Sequence, residues 1–257
     1  MNDFTLSCKI MNTYKVKLLD RKEVARDTLA FFFEKPSDFQ YQAGQFIRIL
    51  LPEALQDDSR GNIRSFSLGS APFEPTLMTA MRMTGSLYKK ALRDYPLGTT
   101  VSLLGPLGKL TLPSDSERPL VFIVGGIGIV PIRSFILDQM QCGFSRDIFL
   151  FYACRFLEDA AFFEEIHSIS SEQFTMVTTL TNQERLPQDW NGEFGRVNIP
   201  LLQKYLQKSS LTGNDMSLAP LYFVVGVPEM VTSLRSVLID AGVYSQDIYF
   251  ELFTGYK

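Results

Sequence analysis

The sequence predicts two domains, an N-terminal six-stranded antiparallel β-barrel and a C-terminal α/β domain built on a parallel sheet. Three observations support this. The chain has 257 residues, more than one domain of the usual size needs. From Thr13 to about Pro113 short strands alternate with turns, as in an antiparallel barrel. Beyond "LPSDSERPL" unbroken apolar runs alternate with helical stretches, which is the pattern of a parallel sheet covered on both faces. The predicted domains are 1–113 and 114–257, with the boundary near Ser114.

The barrel strands follow in order. "YKVKLLD" alternates, "TLAFFFEKP" is stopped by Pro36, and "GQFIRILLP" alternates again before Pro52. "IRSFSLGS", "TLMTAMRM" and "TTVSLLGP" complete the six. Between the last two, "SLYKKALRDYPLG" reads as a short helix with Leu87, Ala91 and Leu92 on one face, ended by Pro96 and Gly98. In the second domain "PLVFIVG" is a buried strand, "PIRSFILDQMQCG" a helix with glycine just past its end, and "RDIFLFYAC" another buried strand. "DAAFFEEIHSI", "QFTMVTTL", "IPLLQKYLQ", "PLYFVVG", "PEMVTSLRSVLIDAG" and "QDIYFELF" continue the alternation.

Composition excludes several classes. With 25 basic and 28 acidic residues the net charge is -3, which offers no field for a nucleic-acid backbone. The first residues carry no signal-peptide pattern, and "PLVFIVGGIGIVP" is too short and glycine-rich to span a bilayer. A cytoplasmic protein without membrane insertion is expected. Cys8, Cys142 and Cys154 are too few to hold a 2Fe–2S cluster by thiolates alone, and His167 is a single histidine on a helix surface. No metal site is expected.

Three places suit phosphate. In "VFIVGGIGIVP" a strand runs into Gly125, Gly126 and Gly128, and Pro131 stands in the first turn of a helix. Glycines let backbone N–H groups approach an anion, and the helix start adds partial positive charge. In "MTGSLYKK", Thr84, Gly85, Ser86, Leu87 and Lys89 span a strand-to-helix junction with hydroxyls and an ammonium. The third is Arg64 of "RSFSLGSAP", whose planar fork suits a diphosphate, with Phe66 on the same strand face. Each also has a plain reading: a glycine turn without ligand, an ordinary N-cap on Thr84 or Ser86, and a half-buried surface strand.

Taken together, these segments resemble the ferredoxin-NADP reductase superfamily. "RSFSLGSAP" is similar to its flavin-binding Arg-x-Tyr/Phe-Ser segment, "GPLGKL" to its barrel-closing segment and "GGIGIVP" to its nicotinamide-nucleotide pyrophosphate loop. "FYACRFLEDAAFFEEI", "WNGEFGRV" and "VVGVPEMVTSLRSVLIDAGVYSQDIYFELFTGY" resemble the segments that follow. The likeness runs over nearly the whole chain after Thr13 and keeps the family's order.

The resemblance implies FAD, or FMN, as cofactor and NADH or NADPH as hydride donor. It places Arg64 on the flavin phosphates, Ser65 beside it, Phe66 along the flavin and Ser67 near N5, with Thr84, Gly85, Ser86, Leu87 and Lys89 as the second phosphate segment. The nicotinamide nucleotide is expected over Gly125 to Pro131. Glu251 and Phe253 fall on the family's terminal carboxylate and aromatic, with Tyr256 as a competitor for the latter. Ser67, Glu251 and Phe253 are the implied catalytic group. Two departures stand out. Val225 replaces a cysteine common in relatives, and Thr181 with Asn182 stands where many NADPH users carry a Ser-Arg pair. NADH is therefore the expected donor unless Arg155 or Arg185 supplies a cation from a nearby loop. The implied activity passes electrons from NAD(P)H through flavin to a separate acceptor, either a protein such as ferredoxin or an oxygenase, or a diffusible molecule. A free-flavin reductase and a non-enzymatic flavin-binding regulatory or electron-transfer subunit are the alternatives.

Overall fold

The computed structural model describes residues 12–52, 58, 61–113, 117–182, 186, 188–206 and 219–254. Six antiparallel strands form the first sheet: β1 (Thr13–Ala25), β2 (Thr28–Glu34), β3 (Phe46–Leu50), β4 (Ile63–Ser67), β5 (Thr76–Arg82) and β6 (Thr100–Leu107). Their order is β4-β3-β6-β1-β2-β5. β1 runs five residues past the alternating stretch seen in the sequence, because Thr13 to Lys17 pair with β6 while Leu18 to Ala25 pair with β2. Alternate residues Val16 and Leu18, Phe31 and Phe33, Ile47 and Ile49, and Val101 and Leu103 all turn into one buried core, as the two-residue period requires. The sheet ends β4 and β5 meet at a seam closed by Gly69 N–H to the Met78 carbonyl at 2.8 Å and Thr79 Oγ1 to the Ser67 carbonyl at 2.9 Å.

Helix α1 (Leu87–Asp94) buries Tyr88 and Leu92, one helical turn apart on one face. The Tyr88 hydroxyl donates to the Ile49 carbonyl at 2.8 Å. This corrects the predicted face, since Leu87 is 43% exposed. Tyr88 is the better anchor because its ring reaches the core and its hydroxyl finds a partner there.

The second sheet is parallel: β7 (Leu120–Gly125), β8 (Ile148–Cys154), β9 (Phe174–Leu180), β10 (Glu193–Phe194), β11 (Leu221–Gly226) and β12 (Ile248–Leu252), in the order β10-β9-β8-β7-β11-β12. On β7, Leu120, Phe122 and Val124 face α2 (Ile129–Gln141), while Val121 and Ile123 face α5 (Pro228–Asp240) and α4 (Ile199–Tyr205). Both faces are therefore covered, which explains the unbroken apolar strands. β10 is an edge strand of two residues that carries no periodicity of its own. The helix expected over "DAAFFEEIHSI" shortens to α3 (Phe163–His167), preceded by Phe162 at φ 58°. The predicted boundary at Ser114 lies outside the described residues, between β6 and β7.

α2 is buried on nearly every side because the sheet covers one face and the barrel the other. Val130 packs against Ala30, Met78 and Ala80 of the barrel. Ala43 and Leu110 of the barrel join the core beneath the sheet.

Candidate functional site

Two cavities lie on either side of one aromatic ring. The first, of about 200 Å³, opens on the β4–β5 seam and is lined by Arg64, Ser65, Phe66, Ser67, Thr84, Ser86 and Lys89, with Glu251 and Phe253 from the other domain. The second, of about 590 Å³, is lined by Gly125, Gly126, Ile127, Cys154, Arg155, Thr181, Arg196 and Phe253, with Arg82 reaching over from the barrel. Its volume is that of a small-molecule site. The first is smaller, so a long ligand there would extend along the open barrel face.

In the first cavity Arg64 is already oriented. Its guanidinium donates to the Gly61 and Ile63 carbonyls at 2.8 and 2.7 Å and to Asp58 Oδ1 at 2.5 Å, and it lies over the Tyr88 ring at 5.1 Å. Ser86 occupies the N-cap position of α1 without a side-chain capping bond, and the first turn holds no acidic residue. A helix start of this kind favours an anion, and Lys89 lies close by. Gly85 and Leu87 do not line the cavity. Gly85 has open space around it and Leu87 faces solvent.

The second cavity forms where β7 runs into the three-residue 3-10 turn Gly126–Gly128. Gly126 has φ +51° and open space where a Cβ would stand, so an anion can approach its backbone. Gly128 and Pro131 are buried and do not line the cavity. Gly128 is glycine because a Cβ would lie 2.6 Å from the Val225 carbonyl oxygen. Thr181 lines the cavity and is tied to β8 by its N–H to the Cys154 carbonyl at 2.9 Å; Asn182 N–H bonds to the Arg155 carbonyl at 3.2 Å instead. Burial pushes the Cys154 thiol up to about 12, which keeps it protonated and inert.

Sequence reasoning missed Arg82 and Arg196 as cavity residues, and it left Arg155 as a loop alternative. β8 and β9 lie side by side with Ala153 opposite Thr179, which brings Arg155 beside Thr181. With Arg155 and Arg196 in the same cavity, the missing cation at Thr181 and Asn182 no longer argues for NADH. Arg185 and Tyr256 lie outside the described residues.

Glu251 sits on β12 opposite Val225 of β11. Burial pushes its carboxyl from 4.5 up to about 7, opposed only by a long contact from Ser67 Oγ at 3.5 Å. Because the folded state favours the protonated acid, the cost of ionising it appears as pH rises past 4.5 and is complete above about 7. Glu251→Gln is therefore expected to raise thermal stability at pH 8 by at most about 3 kcal/mol and to change it little at pH 4. Melting curves at the two pH values check this, and a gain that did not depend on pH would show that charge is not its cause.

Among the described residues no group of three or more His, Cys, Asp or Glu side chains is placed to hold a metal ion, and no helix is long and apolar enough to cross a membrane.

Comparison with known proteins agrees with the two-domain fold. A profile of the oxidoreductase NAD-binding domain matches residues 122–236. Ferredoxin–NADP reductase B of Sorangium cellulosum is 26% identical over 219 residues, which are 83% of this chain and 85% of the relative. A flavohemoprotein of Bacillus subtilis is 23% identical over 244 residues, 93% of this chain but only 59% of the relative. A ferredoxin NADP+ reductase from Neisseria gonorrhoeae, solved with bound FAD and NADP, superposes with a TM-score of 0.75 at 23% identity, covering 93% of this chain and 98% of that one.

Proposed function

This chain belongs to the ferredoxin-NADP reductase superfamily, and we propose that it takes hydride from a reduced nicotinamide dinucleotide onto FAD and hands the electrons to a separate acceptor. The single observation that carries this reading is that Phe253 lines both cavities, one rich in cations and hydroxyls and the other built on a glycine loop. Two nucleotides bound in these cavities would meet at that ring.

The residues fit both nucleotides. Arg64 is a planar, pre-oriented fork for a phosphate. Thr84, Ser86 and Lys89 at the start of α1 provide for a second phosphate, which FAD has and FMN lacks. Flavin, when bound, supplies the electron-accepting ring that no side chain can provide. The chain's own share is placement. Gly126 admits a pyrophosphate to its backbone, Arg155 and Arg196 offer positive charge to the rest of the dinucleotide, and Phe253 keeps water from the contact face. Glu251, titrating near 7 beside Ser67, can hold or release a proton at its carboxyl where the cavities converge. The acceptor is a protein such as ferredoxin or an oxygenase, or a diffusible molecule.

The test is the spectrum of the purified protein and its bleaching by NADH or NADPH without oxygen. A yellow protein that bleaches supports the proposal, and a yellow one that neither donor bleaches would make it a flavin-binding regulatory subunit. A second reading, a free-flavin reductase, draws on the small volume of the first cavity and on Asp58 already occupying Arg64. It predicts a colourless protein that consumes donor only when flavin is added.

Phe253→Ser is expected to tighten nicotinamide binding and to produce a long-wavelength charge-transfer band, since the ring competes for the face the donor must occupy. The Phe253 backbone N–H is held by the Gly226 carbonyl at 2.8 Å, so the substitution keeps the strand in place. A fall in melting temperature with unchanged donor affinity would make the ring structural.

A further inference from the structure

We propose that Arg133 is a positioning residue that sets the register between the two nucleotide sites. The proposal rests on the two-site reading above. Arg133 stands on α2 five residues beyond Gly128 and is 7% exposed. Its Nε donates to Glu165 Oε2 at 2.7 Å. One terminal nitrogen, Nη1, donates to the Gly69 carbonyl at 2.7 Å and to Glu74 Oε2 at 2.9 Å. The other, Nη2, donates to Glu74 Oε1 at 3.3 Å and to Glu165 Oε1 at 2.6 Å. A guanidinium has five N–H donors, and every one is used here.

The partners come from two separate parts of the fold, α3 and the loop between β4 and β5. Glu165 is on α3, Gly69 is two residues past Ser67 at the flavin-facing strand, and Glu74 caps the same loop by accepting the Ala71 N–H at 2.6 Å. The neighbouring Ser134 hydroxyl donates to the Ser70 carbonyl at 2.6 Å. The helix that begins at the glycine loop is thus bonded directly to the loop that continues the Arg64–Ser67 strand.

Stability is a poor explanation for this arrangement. A buried ion network loses much of its Coulomb gain to desolvation, and packed apolar residues of similar volume often hold a fold as well. The apolar contacts between α2 and the barrel, Val130 against Ala30, Met78 and Ala80, already bury the interface, yet such contacts are non-directional and tolerate sliding. A fork with five fixed bonds does not slide. Its effect falls on the spacing and angle of the two sites, on which hydride transfer depends steeply.

Arg133→Lys keeps the charge but brings three donors to a site that uses five. Flavin affinity, affinity for the oxidised dinucleotide and the limiting rate of anaerobic bleaching at saturating donor are measured on the wild type and the variant. The expected result is a limiting rate lower by about tenfold to a hundredfold, a weaker charge-transfer band, and both affinities within about threefold of wild type. An unchanged rate overturns the proposal, as does a rate that falls only in step with both affinities and the melting temperature. If Arg133→Lys does not fold, Glu165→Gln, which alters the solvent-facing partner, must show the same split between rate and affinity or the proposal fails. A wild-type protein that does not bleach overturns the two-site reading and this proposal with it, whereas a wild type that bleaches beside a variant that bleaches equally fast overturns this proposal alone.

Discussion

Arg64→Ala is expected to weaken flavin retention by about tenfold to a hundredfold, and Lys89→Ala by less. A charge-assisted bond to phosphate contributes about 1.5 to 3 kcal/mol, and the arginine fork can make two where a lysine acts as a point charge. Arg64 is also pre-oriented, by the Gly61 and Ile63 carbonyls and by the face of Tyr88, and its side chain is 15% exposed. Lys89 reaches the Arg82 carbonyl at 2.7 Å in an exposed position, where bonds gain less over water. Asp58 refines the expectation, because its carboxylate holds Arg64 at 2.5 Å and competes with any phosphate for the same fork. Asp58→Asn should therefore retain flavin more tightly than the wild type. Fluorescence titration of the three variants decides the matter. Equal losses at Arg64 and Lys89, or the reverse order, would count against the assignment.

Gly128→Ala is expected to damage both the fold and dinucleotide binding, whereas Gly126→Ala should damage chiefly binding. At Gly128 a Cβ would stand 2.6 Å from the Val225 oxygen, 3.0 Å from its carbonyl carbon and 3.3 Å from Gly226 N. All three are backbone atoms of β11, so no side chain can swing aside. The turn and β11 must separate, at a cost of about 1 to 3 kcal/mol for an overpacked site. The shift would carry Phe253 with it, since the Gly226 carbonyl holds the Phe253 N–H. At Gly126 a Cβ would meet nothing within 4 Å. The methyl would instead enter the space through which an anion approaches, and the left-handed backbone there would cost about 1 to 2 kcal/mol. Melting temperature and dinucleotide affinity separate the two. A Gly128→Ala protein with wild-type melting and binding would show that the close approach to β11 has no consequence.

Much of this architecture is legible in local sequence, because a buried strand needs a period of two or an unbroken apolar run and a glycine turn needs glycines. The six barrel strands, the alternation in the second domain and the Gly125–Gly128 loop follow from such signals, Arg64 follows from its donor chemistry, and Ser67 comes from the family resemblance alone. Pairings across long separations do not. Arg133 meets Glu74 and Gly69 at 59 and 64 residues' distance along the chain, and no periodicity announces such a contact. Arg196 enters the second cavity only because the short β10 turns the chain back beside β9. Leu87 and Tyr88 are adjacent, and the choice between them as the buried face of α1 depends on the Ile49 carbonyl, 39 residues upstream. The site is legible where chemistry is carried by one segment and hidden where the fold assembles it.

The order of the second sheet has a consequence for how the chain acquires its structure. β7, the first strand of that sheet to be synthesised, lies between β8 and β11, and β11 begins about a hundred residues after β7. Until Leu221–Gly226 has left the ribosome, one edge of Leu120–Gly125 has no strand beside it, although every residue from Leu120 to Val124 is apolar and 0% exposed in the finished fold. Such an edge is an open template for pairing with other chains. Slow folding and a need for chaperones when expression is fast are the expected marks of that interval.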